Sequence, residues 1–319
     1  KIGVFAVLFG NKPFEETLDY LVEHGVEAVE IGTGAYPGNA HCDPAALLAS
    51  EKKLKAFREA VSTRGLVISA LSCHGNPLHP QAKIAKDHHN VFVQTVELAK
   101  KLDVDTVITF SGCPPGDEKA AQPAWIVSPW PPEFSDMLAW QWKERVTPYW
   151  KDTAKACKAA GVRVAIEMHP NFVVYNPETM LRLRAIAPGT IGCNFDPSHM
   201  FWQGVDVVAA IRALGDAIYH VHAKDCRIDA RNVAANGVLD AKKYTRELER
   251  SWIFRTVGYG NGALVWKDMV SNLRLVGYDH VLSIEHEDSI MSGAEGLKKA
   301  IAFLKDVVIA EPAGEAYWA

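Results

Sequence analysis

The sequence has no CxxC pair and no cysteine-dense stretch. Its six cysteines (42, 73, 113, 157, 193 and 226) are scattered over 319 residues. In a chain of this size that pattern excludes a disulfide framework. It implies free thiols in a reducing compartment, so a cytoplasmic location is expected. No apolar run approaches the roughly 20 residues that a membrane-spanning helix requires. There is no basic excess either: 34 Lys and Arg face 38 Asp and Glu, for a net charge of −4 and a pI near 6.3. That balance provides neither an electrostatic footprint for nucleic acid nor a polybasic patch for a membrane surface. The expected partner is therefore a small molecule. The opening KIGVFAVLFG turns polar at once and reads as a first strand, not a signal peptide.

What the chain does have is alternation. Eight β-branched or apolar runs recur: VFAVLF, EAVEIGT, VISALSC, TVITFSG, RVAIEMH, TIGCNFD, IYHVHAKD and HVLSIEHED. A helical pattern follows each, as in PFEETLDYLVEHG after the first. Strand–helix alternation predicts a parallel sheet. Eight such units in about 300 residues is the count of a closed (β/α)8 TIM barrel. The expected fold is thus α/β, one barrel domain over residues 1–319, because no composition break marks a linker. A doubly wound open sheet is the runner-up, but no GxGxxG loop follows the first strand.

Two segments exceed ordinary βα loop length. One runs over roughly 112–138 and is rich in Pro and Trp; the other runs over roughly 226–262. They follow the fourth and seventh strands, so both belong to the face where barrels keep their active sites. Lids or partner-binding loops are expected; plain surface padding is the alternative. Trp125, Trp130, Trp140 and Trp142 are many aromatics for a solvated loop. They predict that part of 112–142 packs on a second subunit, in a homo-oligomer or otherwise, or roofs the pocket.

Ionisable residues collect where the strands end. Glu167 closes the fifth strand, Asp196 the sixth and Glu285 the eighth. His220 and His222 alternate with Val221 on the seventh, and His74 follows the third. In a parallel barrel those ends share one face. Residues two apart on a strand point the same way, so Glu167 pairs with His169, and His220 with His222. Three carboxylates and an imidazole around one axis repel unless a cation resolves the charge. Oxygen-rich ligands with one nitrogen select a single hard or borderline divalent ion. Mn2+ is the first choice, then Mg2+ or Co2+, with Zn2+ disfavoured by the lack of a Cys ligand. Each residue also has an ordinary structural reading. A lone strand-end His is often only hydrogen-bonded, and Asp196 before Pro197 and Ser198 could simply form a turn or cap.

The motifs IEMH, NFDPSH, HVHAKD and SIEHED, in that order, resemble those of the xylose-isomerase-like (β/α)8 superfamily of sugar isomerases, ketose 3-epimerases, inosose dehydratases and endonuclease IV. The resemblance covers essentially the whole chain. It implies metal ligands Glu167, Asp196, His222 and Glu285, and a substrate or metal contact at His199. A basic substrate contact would come from Lys224 or Arg227. In ketose 3-epimerases a further Glu stands six residues after the fifth-strand ligand; here that position is Val173. His169 instead gives an E-x-H strand similar to the metal-dependent subunits that cleave 3-keto-glycosides, including C-glycoside deglycosidases.

A divalent ion can bind a carbonyl oxygen and its neighbouring hydroxyl, and stabilise the enediolate left when the alpha proton departs. Glu167, Glu285 or His169 could be the base. Returning the proton gives a sugar epimerase or isomerase, the first expectation. Expelling a β substituent from a 3-keto-glycoside gives a lyase, the alternative. Endonuclease IV-like DNA repair is remote, because it needs a basic face. The substrate would be a sugar or sugar derivative, held by His74, His199, Lys224, Arg227 and Arg255 around the same mouth.

Overall fold

The computed structural model describes residues 1–318. Seven strands run in order from the N-terminus: β1 (Ile2–Phe5), β2 (Ala28–Gly32), β3 (Val67–Ser72), β4 (Thr106–Phe110), β5 (Arg163–Glu167), β6 (Ile191–Phe195) and β7 (Ile218–Ala223). An antiparallel hairpin of β8 (Asp225–Ile228) and β9 (Trp252–Arg255) comes next, and then β10 (Leu282–Ile284). β1 to β7 and β10 close a parallel barrel in the order β1-β10-β7-β6-β5-β4-β3-β2. The molecule is therefore an α/β TIM barrel, with β10 as its eighth barrel strand.

The strands read as nearly continuous buried runs because both faces are covered. Val107 and Ile108 of β4, and Val164, Ala165 and Ile166 of β5, are fully buried. Helices pack their apolar stripes on the outside; Trp150 and Trp266 are among the largest fully buried side chains there. The strand register slips by one residue between Val29 and Glu30 on β2 and between Cys193 and Asn194 on β6. Such irregularities re-aim side chains, and both sit beside polar residues that matter below.

Three sequence expectations need correction. The first strand stops at Phe5, and Ala6–Phe9 forms a 3-10 turn. The insertion after β7 is not a plain loop: it holds the β8–β9 hairpin and the helix Ala230–Asn236. The insertion after β4 ends in the helix Glu133–Trp140, which passes through a π-helical turn, Gln141–Val146, into Thr147–Ala160. All six cysteines are free and buried. Among the described residues, no helix is long and apolar enough to cross a membrane.

Candidate metal centre and catalytic pocket

The barrel's C-terminal mouth opens into a cavity of about 630 Å³. Glu167, His74, His169, Lys224 and Glu285 line its polar floor. Its walls are apolar: Phe5, Phe110, and Tyr244, Ile253 and Phe254 from the insertion after β7.

Glu167 ends β5, Asp196 follows β6, His222 lies in β7 and Glu285 follows β10. One donor atom from each of the four falls within 4.8 Å of all the others. The Nδ1 atom of His222 lies 3.1 Å from both Glu167 Oε2 and Glu285 Oε2. Asp196 does two jobs. Its Oδ1 accepts from the Ser198 amide at 2.8 Å and starts the helix Pro197–Trp202. Its Oδ2 has no hydrogen-bond partner although it is buried. His222 Nδ1 is likewise buried and unpartnered. A buried donor or acceptor left without a well-aligned partner costs about 1–3 kcal/mol; the groups nearest these atoms are the neighbouring carboxylates and His199, a cluster that a cation would satisfy. The donor set of three carboxylates and one imidazole fits a divalent cation.

Behind the ligands lies a residue the sequence reading missed. Glu30, in the middle of β2, is fully buried and meets His222 Nε2 at 3.0 and 3.1 Å through its two oxygens. It accepts from Ser72 Oγ at 2.5 Å and from Ser283 Oγ at 2.7 Å. This carboxylate fixes the imidazole so that Nε2–H points down and Nδ1 faces the mouth, the usual orientation of a metal-binding His. Burial works to raise the Glu30 pKa, but the charges of His222 and His220 overcome it and hold the group down at about 2. The signal was available: Glu30 is a carboxylate inside an otherwise apolar strand, as Glu167 is.

Glu167 is oriented just as firmly. Its Oε2 accepts from His74 Nε2 at 2.9 Å and from Asn194 Nδ2 at 2.9 Å. Asn194 Oδ1 in turn meets His220 Nδ1 at 3.0 Å, so His220 belongs to the layer beneath the ligands. Burial opposes ionisation of Glu167, yet His74 and His222 hold its pKa well below the usual carboxylate range. For Asp196 burial wins and the pKa rises, with Glu167 and Glu285 adding to the shift. His222 moves well above its ordinary value against its burial, because Glu30, Glu285 and Glu167 surround it. Without a metal, a proton on His222 thus supplies part of the positive charge the carboxylates demand.

His169 stands just past β5, at the pocket wall. Its Nδ1 lies 2.6 Å from the carbonyl oxygen of Pro170, so Nδ1–H is the donor and Nε2 carries the lone pair. Burial first, and then the neighbouring His199, push its pKa down to about 3. The ring is therefore a neutral imidazole at neutral pH. His199 is buried in the helix after β6, its Nε2 3.3 Å from Asp196 Oδ2 and 3.6 Å from Glu167 Oε1. Neither of its ring nitrogens has a hydrogen-bond partner.

Lys224 is buried at the mouth, 2.6 Å from Glu287 Oε2 and 3.2 Å from Glu285 Oε2, with its ammonium 4.3 Å from the Phe254 ring centroid. Burial disfavours its charge, but Glu285 and Glu287 lift its pKa well above normal. The structure does not bring the two arginines here. Arg227 is exposed on the hairpin and reaches only toward the Gly260 carbonyl. Arg255 pairs with Asp288 at 3.1 Å, and that carboxylate also binds the Thr256 amide. Neither arginine is among the residues that line the pocket. The roof comes from the second insertion, not the first. Of the four expected tryptophans, Trp142 is core, Trp125 and Trp140 are half-buried, and only Trp130 is exposed, at 75%.

The family described as xylose isomerase-like TIM barrels matches residues 18–307 of this chain. The uncharacterized protein YfiH of Bacillus subtilis (strain 168) is 38% identical over 311 residues, 97% of this chain and 99% of that protein. The rhizopine catabolism protein MocC of Rhizobium meliloti is 30% identical over 136 residues, 43% of this chain and 40% of its own length. Among solved structures, the IolI protein with a bound zinc superposes with a TM-score of 0.66 at 18% identity, covering 97% of this chain and 98% of that one. A D-psicose 3-epimerase studied with D-fructose gives 0.62 at 16% identity, covering 97% and 99%. The probable 3-DHS dehydratase AsbF of Bacillus anthracis gives 0.65 at 16% identity, covering 96% and 98%. At these identities the structural likeness concerns the fold.

Proposed function

Because the chain belongs to the xylose isomerase-like TIM-barrel family, we propose that it is a divalent-metal-dependent sugar isomerase or epimerase acting by proton abstraction next to a carbonyl. The observation that carries this is the convergence of Glu167, Asp196, His222 and Glu285 from four strands, with buried atoms of Asp196 and His222 left unpartnered. These four residues would hold one ion, with Mn2+ the first expectation. A divalent cation bound there supplies Lewis-acid polarisation of a carbonyl oxygen and stabilises negative charge as it develops beside it.

The chain's own residues do the rest. Lys224 and His74, which line the pocket, would contact substrate oxygens, with His199 buried beside Asp196 and Glu167. The aromatic walls exclude water and strengthen each polar contact inside. A carboxylate oxygen of Glu167 or Glu285 takes the proton from the carbon next to the carbonyl. The C–H electron pair becomes the new carbon–carbon double bond as the carbonyl oxygen gains charge. Reprotonation on the opposite face gives the epimer; reprotonation of the former carbonyl carbon, with the neighbouring hydroxyl's proton passing to the former carbonyl oxygen, gives the isomer.

One observation favours a second reading. His169 presents a neutral imidazole whose tautomer is fixed by Pro170, which leaves the Nε2 lone pair free to accept a proton at the pocket, although its lowered pKa weakens it as a base. With a leaving group on the β carbon, the same proton abstraction ends in elimination and makes the protein a lyase. Incubation in D2O with Mn2+ and a panel of ketoses and 3-keto-glycosides, followed by NMR, tests both readings. Deuterium at the carbon next to the carbonyl supports the shared step, and the product identifies the branch. Absence of exchange across the panel in metal-loaded protein would overturn the proposal. The exposed Trp130, Val127 and Phe134 support a contact between copies through the first insertion. Sedimentation through a dilution series tests that contact, and a monomer at every concentration would remove it.

A further inference from the structure

The cavity at the barrel mouth has a polar floor and an apolar outer zone. Among the described residues that line it, Lys224 is the only lysine or arginine. Its ammonium is already engaged, 2.6 Å from Glu287 Oε2 and 3.2 Å from Glu285 Oε2. A divalent ion held by Glu167, Asp196, His222 and Glu285, together with Lys224, would balance the three carboxylate ligands. Glu287 then leaves the mouth with an excess of negative charge.

Barrels of this architecture often hold a phosphate in the loops after their seventh and eighth strands, where backbone amides converge. Here the chain's own carboxylates take those amides. In the insertion after β7, Asp225 Oδ2 accepts from the amides of Gly258, Gly260 and Asn261 at 2.9, 3.1 and 3.0 Å. After β10, Asp288 Oδ1 accepts from the amides of Ile290 and Met291 at 2.8 and 3.2 Å. A substrate phosphate would meet a carboxylate in either loop. Like charges that close repel, and no cation at the mouth is left to offset them.

The outer zone is apolar and open. Val7, Tyr36 and Pro37 line it from the loops after β1 and β2, and Tyr244 and Ile253 from the insertion after β7. Tyr36 is 60% exposed and Tyr244 54%. Tyr244 is held in place: its ring stacks on Phe254 with centroids 5.7 Å apart, and the Arg250 guanidinium lies 4.4 Å from its centroid. Exposed apolar surface gathered at a cleft marks a place of contact. A cavity of about 630 Å³ is of the size that encloses a drug-sized molecule, more than one sugar ring. Resting on the sugar chemistry proposed above, we infer that the substrate is an uncharged sugar derivative, without phosphate or carboxylate, whose ring-sized apolar substituent lies against Tyr36 and Tyr244. The sugar ring meets the polar floor, and the substituent fills the outer zone.

Calorimetric titration of the Mn2+-loaded full chain tests this with methyl glucoside, phenyl glucoside in both anomers, methyl glucoside 6-phosphate and methyl cellobioside. None of these probes has a carbonyl, so none reacts, and binding is read apart from catalysis. One phenyl anomer should bind about tenfold or more tighter than methyl glucoside, from burial of the ring's apolar surface. The 6-phosphate should bind no tighter than methyl glucoside even at low salt, where any attraction would be strongest. Tyr244→Ala or Tyr36→Ala should cut the phenyl advantage about fivefold or more. Tighter binding of the 6-phosphate, no phenyl advantage, an advantage untouched in both variants, or methyl cellobioside binding as tightly as the phenyl glucoside would each overturn the inference. Proton exchange in D2O without this order of affinities would leave the proposed function standing and remove only the inference; this order without exchange would do the reverse.

Discussion

Two polar layers lie one above the other in this barrel, and they are finished differently. In the lower layer, Glu30, Ser72, Ser283, Asn194, His220 and Ser69 pair with one another and with the ligands above, and none of their side-chain atoms is without a partner. In the upper layer, Asp196 Oδ2, His222 Nδ1 and both nitrogens of His199 are buried and unpartnered. β6 with the turn after it, and β7, contribute to both layers through Asn194 and Asp196 and through His220 and His222. A completed network rigidifies and specifies; an incomplete one, at the same depth, is a place prepared for something to enter. The lower layer aims the side chains, and the upper layer is where the proposed ion and substrate would sit.

The largest effect should follow a change in the upper layer. Glu285→Gln replaces a charged ligand with a neutral amide. Metal content should fall from about one ion per chain to a small fraction of that. Proton exchange should drop by well over 100-fold, because even residues behind a ligand are worth 10–100-fold. Elemental analysis and the D2O assay read both quantities. Full activity without bound metal would erase the distinction between the layers.

His169→Asn should come next. It keeps the hydrogen-bonding size of the ring but removes the basic Nε2. If His169 is the base, exchange falls about 10²-fold or more while metal content stays the same. If Glu167 or Glu285 is the base, the loss stays within about tenfold, or roughly 1.4 kcal/mol of barrier. A single-turnover exchange assay separates the two outcomes, and with them the elimination and epimerisation readings.

Glu30→Gln moves the challenge to the lower layer. His222 would keep its place but lose the carboxylate that fixes its tautomer. Metal affinity should weaken about 10–100-fold while saturated protein retains most of its turnover. Titration with a chelator-buffered metal series measures it. An unchanged affinity would mean that the two layers are not coupled through His222.

How much of this was legible in the sequence follows from the same two layers. Glu167, Asp196, His222 and Glu285 stood out because charge at the end of a buried strand is costly without a purpose. Glu30 obeyed the same rule, but it sat in mid-strand, between Val29 and Ile31, where a turn or cap signal was absent. Ser72, Ser283 and Asn194 are neutral and small enough to pass as ordinary strand residues. The eight barrel strands were readable as local runs; the β8–β9 hairpin was not, because Cys226 and Phe254 pair across 28 positions. Counting tryptophans marked the first insertion as unusual, but not which way it folds.

The smallest effect should come from Ser72→Ala, which removes one donor from Glu30 and leaves the carboxylate with its other partners. A hydrogen bond to a charged group contributes about 1.5 kcal/mol, near the low end of its range, so the folding equilibrium should shift roughly tenfold. The pH dependence identifies the source. Burial raises the Glu30 pKa, but the two histidines and Ser72 outweigh it, and the folded value is about 2 against an ordinary 4.5. A carboxylate depressed on folding contributes stability that is complete above its unfolded pKa and is lost as pH falls through the folded one. The difference between wild type and Ser72→Ala should therefore be full at neutral pH and shrink as the pH drops from about 4.5 toward 2. Urea unfolding of metal-free protein at several pH values measures this difference. A gap that stays constant into acid would mean that Ser72 acts by packing alone, and that the lower layer is less an electrostatic device than its hydrogen bonds imply.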